Sequence, residues 1–166
     1  RVTTSASDWN AAGGTGPSTI SNAASLVFPT TTASWGTVIA FGLFDALSGG
    51  NLLAWDYVGN FAWRPATVSL ASPGVLTVPA HGYSVADTVV FSTEYGGAAP
   101  TFSQSNLTGL LLVANAAANT FDVTNGGVQV NTSSVGSGSV RKVAPQAIGS
   151  GVLPSFGSGA FVITLA

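Results

Sequence analysis

Cysteine and methionine are both absent from this 166-residue chain, and charge is nearly so. The missing cysteine excludes thiolate nucleophiles, disulfides and cysteine-ligated metals, without fixing a redox compartment. Asp, Glu, Lys and Arg together make up 6% of the residues, against an ordinary share of ~25%. With a formal net charge of −2 there is no basic footprint for nucleic acid and no polybasic patch for a membrane surface. A single histidine, His81, rules out a multi-histidine metal site within one chain. Apolar runs are cut repeatedly by Ser, Thr, Gly and Pro, and none approaches the ~20 residues of a membrane-spanning helix. The expected partners therefore include neither nucleic acid nor membrane, and no cofactor or metal is expected.

What remains is apolar and neutral. Hydrophobic residues make up 46% of the chain, with nine Phe, four Trp and three Tyr among them. That is enough to build cores, which argues against disorder. The surface must then consist of Ser, Thr, Asn and Gly. A free monomer usually relies on more charge than this for solubility, whereas a subunit packed among neighbours does not. The composition predicts an assembly component, a homo-oligomer in contact with neighbouring proteins.

The most informative stretch is Ser21–Asp56. Within it Val38–Phe44, VIAFGLF, is an unbroken apolar and glycine run that reads as a strand buried on both faces. Ser48-Gly49-Gly50-Asn51 supplies a turn and Leu52–Trp55 a second strand, a hairpin pattern. Upstream, Ala24–Phe28 reads as a short strand stopped by Pro29. Trp35, before Gly36, is expected to be mostly buried. Downstream, Trp55, Tyr57, Phe61 and Trp63 form an aromatic cluster. Such residues fill cores and obligate interfaces, or stack on sugars. Trp55, Tyr57 and Trp63 are the candidate ligand or interface residues.

The succession Asn22-Ala23-Ala24, Phe28-Pro29, Thr32–Val38, Phe41–Ala46 and Gly49–Leu53 is similar to a family of phage virion proteins, the phage tail fibre proteins of the mycobacteriophage type. The closing Gly159–Leu165 looks like that family's last strand. The resemblance implies a virion component, on a tail fibre or another exposed part of the phage particle. A capsid-decorating or head-fibre subunit is the nearest alternative. A carbohydrate- or receptor-binding module, taking a host surface glycan or receptor, is the alternative of another class. Arg1-Val2 falls where the family pattern is already under way, so a preceding segment is expected.

From Ala66 the texture changes to short strands at close spacing: Thr67–Ser69, Val75–Val78, Thr88–Ser92, Leu110–Val113, Thr120–Thr124, Val128–Asn131 and Ser139–Val143. Asn125-Gly126-Gly127 is a hairpin turn signal, and the pattern suggests a small barrel or sandwich. Ala80–Ser84, Asp87–Val89, Asn119–Val123 and Gly136–Val140 resemble a module recurrent in phage structural proteins, named after the first catalytic-cysteine half-domain of ubiquitin-activating enzymes. That module more often has Gly before the Asp, where this chain has Ala86. The resemblance implies a β module and no ubiquitin chemistry, since the chain lacks cysteine. The fold expected is all-β: a discontinuous β-sandwich, 1–64 plus 144–166, with a small barrel-like module, 65–143, inserted into it.

Catalytic patterns are weak. The glycine-rich run from Gly13 to Pro17 is not followed by a phosphate-binding lysine. His81 has no Gly-x-Ser-x-Gly partner and reads as a residue serving backbone groups at a turn. Asp45 and Asp56 could meet across the hairpin as a glycosidase-like pair, but Asp45 fits equally as a strand-end turn former. Asn106-Leu107-Thr108 and Asn131-Thr132-Ser133 match the glycosylation sequon, a short pattern common by chance. The expectation is a non-enzymatic virion protein.

Overall fold

A computed structural model describes residues 1–13, 18–59, 61–94, 96–101 and 110–165. The central part of the Gly13–Pro17 run and the sequon at Asn106 lie outside them. The described residues are all-β, with one 3-10 turn at Ala6–Asp8. In chain order the strands are β1 (Ser18–Ser21), β2 (Leu26–Val27), β3 (Gly36–Val38), β4 (Ala40–Phe44) and β5 (Leu52–Tyr57). They continue as β6 (Arg64–Val68), β7 (Val75–Thr77), β8 (Thr88–Ser92), β9 (Leu111–Ala116) and β10 (Thr120–Asn125). The last are β11 (Val128–Gln129), β12 (Gly136–Val143), β13 (Gln146–Ile148), β14 (Ser155–Phe156) and β15 (Val162–Leu165). The chain divides into two compact units, an outer one of Arg1–Asp56 with Gln146–Ala166 and a second of Tyr57–Pro145.

The second unit is a closed barrel. Its strands follow the order β10-β7-β6-β12-β8-β9, and β9 pairs back onto β10 to close the ring. Closure removes the exposed edges that an open sheet of this size would carry. Alternation sends Val68, Leu76, Val89, Leu111, Val113, Phe121, Val123 and Val140 inward, each at most 3% exposed, and they form one contiguous core. The eight residues of β12 pair with β6 along one edge and β8 along the other. Within it Gly138 has no room for a side chain: a Cβ there would lie 2.6 Å from both the Phe91 ring and the Ser92 carbonyl oxygen. At the β10–β11 turn Gly126 and Gly127 have φ of 57° and 82°, the left-handed region that glycine enters without strain.

The outer unit is built differently. Four two-stranded antiparallel ladders, β1–β15, β2–β14, β3–β13 and β4–β5, make up its regular structure. Three of them join the first segment of the chain to the last. Phe161, 5% exposed, is the hub, with Phe41 at 4.6 Å, Phe156 at 5.4 Å and Trp9 at 5.7 Å between ring centroids. Thr31 ties its loop to the far segment: its hydroxyl donates to Gly149 O at 2.6 Å, and its N–H to Val152 O at 2.9 Å.

Two burial expectations are corrected here. Val38–Phe44 is not one strand buried on both faces. It is broken at Ile39 into β3 and β4, and its residues are half-buried or exposed. A continuous apolar run implies two covering layers only where the sheet is wide, and β4 has a single partner, β5. Trp35 is 48% exposed. Its ring meets Phe28 edge-on at 6.0 Å, while its N–H donates to Ile148 O at 3.0 Å, so the main chain is fixed and half the indole faces solvent.

Candidate functional site

The three candidate aromatics fall in different settings. Trp55 lies in β5 of the outer unit and is 56% exposed. Tyr57 ends β5 and belongs to the barrel unit, half-buried. Trp63 immediately precedes β6 and is also half-buried, with the Arg141 guanidinium 5.9 Å from its ring centroid. Arg141, only 6% exposed, donates from Nη2 to Gly59 O at 3.0 Å. The cation thus fastens Gly59 to β12, with Trp63 alongside it. Of the three, Trp55 offers the most open ring.

Around Trp55 the β4–β5 hairpin presents an apolar surface, of which the sequence reading had put only Phe44 in a buried strand. Phe44 is 38%, Leu47 56%, Leu52 52% and Leu53 66% exposed. Phe44, Leu52 and Gly42 share one face: a Cβ on Gly42 would meet Leu52 Cδ1 at 2.8 Å and Phe44 Cε2 at 3.2 Å. Alternation sends Leu53 and Trp55 to the other face, the one on which Phe41 reaches the Phe156 and Phe161 rings. Arg1 covers part of Phe44, its guanidinium 3.7 Å from the ring centroid, and it donates to Ala46 O at 2.9 Å.

The hairpin turn is fixed by Asp45. Its carboxylate accepts from Asn51 N at 2.7 Å and Asn51 Nδ2 at 2.9 Å, and these bonds hold the Asp45 carboxyl below its usual range. Asp45 thus acts as the turn former that the sequence allowed.

In the barrel, His81 is 6% exposed and its Nδ1 accepts the Tyr83 N–H at 2.8 Å, the turn role read from the sequence. The ring sits 5.0 Å from both Tyr83 and Phe121, and Nε2 has no hydrogen-bond partner among the described residues. Asp87 pairs with Lys142 at 2.7 Å and accepts the Ser84 N–H at 2.9 Å. Burial alone would raise its carboxyl, but the Lys142 hydrogen bond, the Ser84 amide and the Lys142 charge together hold it below the ordinary value. Asp122, 7% exposed, accepts from Asn115 N at 3.0 Å and from Asn115 Nδ2 at 2.8 Å, where the β9–β10 register shifts. Each of these acids is committed to local structure. Among the described residues, no three of His, Asp and Glu gather where they could share a metal ion.

Residues 1–61 match the family model of the podophage GP4 fiber I protein gp80. The match supports a phage virion structural protein of a fibre. It names a podophage fibre family where the sequence resemblance pointed to the mycobacteriophage type, and it ends before the barrel strands begin. No curated protein and no solved structure matches the chain.

Proposed function

We propose that the chain is a non-enzymatic structural subunit of a phage fibre, a tail fibre or an equivalent exposed part of the particle, present in repeated copies. The observation that carries this reading is the fibre-family match over residues 1–61, which includes the β4–β5 hairpin. Two physical features support it. The chain's 6% charged residues suit a subunit packed among neutral neighbours, and the hairpin exposes apolar side chains that a solitary protein normally covers. The barrel of residues 57–145, whose sequence resembles the half-domain module of phage structural proteins, acts in this reading as an accessory module carried by the fibre unit. The test is electron microscopy of the native particle with an antibody raised against the barrel. Label on a fibre is expected. Label confined to the capsid face would make the chain a decoration or head-fibre protein, and particles without label would sink the reading.

The exposure of Trp55 favours a second reading, a surface aromatic that stacks on a host glycan or receptor. Titration of host-surface oligosaccharides against the chain, followed by tryptophan fluorescence, separates the two. Saturable quenching lost in Trp55→Ala supports glycan binding, and its absence leaves Trp55 to subunit contacts.

A further inference from the structure

A carboxylate taken out of water is normally answered by hydrogen bonds and by a cation. Asp122 in β10, 7% exposed, has the hydrogen bonds and, among the described residues, no cation. Oδ1 accepts from Asn115 N at 3.0 Å and from Asn115 Nδ2 at 3.1 Å, and Oδ2 accepts from the same Nδ2 at 2.8 Å. These donors are neutral, so they fix the carboxylate in place and leave its charge unanswered. The chain's four Lys and Arg residues are all held elsewhere. Arg1 lies over the Phe44 ring, Arg64 donates to Pro79 O, Arg141 donates to Gly59 O, and Lys142 pairs with Asp87.

Beside this carboxylate the barrel wall is dented. The β9–β10 ladder shifts register between Phe121 and Val123, the kind of irregularity that re-aims a side chain. There Val75, Ala116, Ala117, Thr120 and Phe121 join the Asn115–Asp122 pair around a cavity of about 190 Å³ that opens to solvent. Pockets for drug-sized ligands run to ~300–1,000 Å³, so this one admits a group about as large as a side chain.

We propose that the dent is a seat for a primary alkylammonium group, with the ammonium on Asp122 and its methylene stem along Val75, Ala116 and Ala117. Other cations fit less well. A guanidinium recognises a carboxylate through two parallel bonds to both oxygens, and the Asn115 amide already spans both. Calcium takes about 6–8 oxygen ligands, whereas among the described residues no three of His, Asp and Glu gather to hold a metal. An ammonium is a compact point charge that needs one free oxygen lone pair, and the Thr120 hydroxyl in the lining is a further acceptor. Apolar walls suit the stem, as they do for any buried lysine chain. A lysine of a neighbouring protein and a free amine present this same chemistry. The seat lies within the barrel unit and does not rest on the fibre reading.

The test is an NMR titration of the full chain with n-butylammonium chloride, against sodium chloride at equal ionic strength. Saturable shifts of the Asn115 side-chain amide and the Thr120 backbone amide are expected with the amine alone. Asp122→Asn should bind roughly tenfold more weakly, having lost a charge-assisted hydrogen bond. Should that variant misfold, Ala116→Leu fills the dent without touching the carboxylate and should abolish the shifts. No saturation, unchanged affinity in either variant, or tighter binding of n-butylguanidinium or calcium would each overturn the seat. A blocked lysine peptide separates the two sources. A peptide that binds at least as tightly as the simple amine supports the seat as one for a neighbouring protein's lysine, and a peptide excluded while the amine binds supports it as one for a free amine.

Discussion

The Phe161 N–H donates to Oδ1 of Asn22 at 2.8 Å, joining residues 139 apart in sequence. Asn22 is fully buried, and its Nδ2 donates to Ala24 O at 2.8 Å and Gly157 O at 2.7 Å. One amide thus serves the N–H of the buried Phe161 and the carbonyls of the exposed Ala24 and Gly157. Asn22→Ala takes the acceptor from the Phe161 N–H and leaves a hole at a fully buried position, and an orphaned buried polar group costs about 1–3 kcal/mol. A loss of ~3 kcal/mol in urea-unfolding free energy is the expected result. Asn22→Asp places an oxygen against the two carbonyls and should be no better at neutral pH. A loss under ~0.5 kcal/mol for either variant, the range of ordinary surface changes, would show that the amide does not organise the unit.

Trp35 should behave as a half-covered side chain. With 48% of the residue already in water, Trp35→Ala forfeits its edge contact with Phe28 and part of its burial. The expected cost is ~1–2 kcal/mol, below the ~3–5 kcal/mol of a buried Trp truncation. Equilibrium unfolding of the variant measures it, and a cost in the higher range would mean that the indole is covered in solution by a neighbouring copy.

The barrel was readable from sequence because its strands obey period two and its turns carry the glycines the backbone needs. Val75–Thr77, Thr88–Ser92 and Thr120–Asn125 fall where alternation puts them, and Asn125-Gly126-Gly127 makes the turn it signals. Burial in the hairpin was not readable, because VIAFGLF has the composition of a covered strand whether the cover is the same chain or another. Composition reports that a surface is apolar and not what lies on it. Trp35 failed for the same reason. The contact of Trp63 with Arg141 left no sequence signal, since it depends on β12 passing Gly59 and Trp63, which lie far from it in the chain.

Residues 57–145 are expected to fold alone. The barrel is closed by its own strands and has its own apolar core. Its two ends already meet, Ala144 N donating to Val58 O at 2.8 Å. The isolated segment should unfold cooperatively in denaturant, and Phe121→Ala in it should cost ~3–5 kcal/mol as a buried aromatic truncation. A segment without a cooperative transition would show that the barrel depends on the rest of the chain, and that the insertion reading is wrong.

Acid should weaken the barrel through Asp87. Its folded-state carboxyl lies below the ordinary value, so its contribution is fully present above the unfolded pKa of ~3.9. That contribution is lost as pH falls through the folded value. Asp87→Asn removes the ion pair with Lys142 while keeping an acceptor for Ser84. The variant should be ~1 kcal/mol less stable than wild type at pH 7, and the gap should close below about pH 4. A gap that stays constant down to pH 2.5 would assign the loss to packing instead of charge.

Ala86 offers a stabilising change. Its φ is 70°, in the left-handed region where a Cβ crowds the following carbonyl at a cost of roughly 1–2 kcal/mol. The turn holds it there regardless, because Ala86 N donates to Val113 O at 2.8 Å and Asp87 N to Ser84 O at 3.0 Å. Ala86→Gly removes the crowding but gives the unfolded chain more freedom, worth about 0.4–1 kcal/mol against it. The balance favours glycine, and a net gain of ~0.5–1 kcal/mol is expected from those two ranges. Ala80, with φ of 49°, provides a second position for the same test. Chemical denaturation of the Ala86→Gly variant decides the matter: a loss of stability would mean that the methyl makes a contact worth more than the strain it carries.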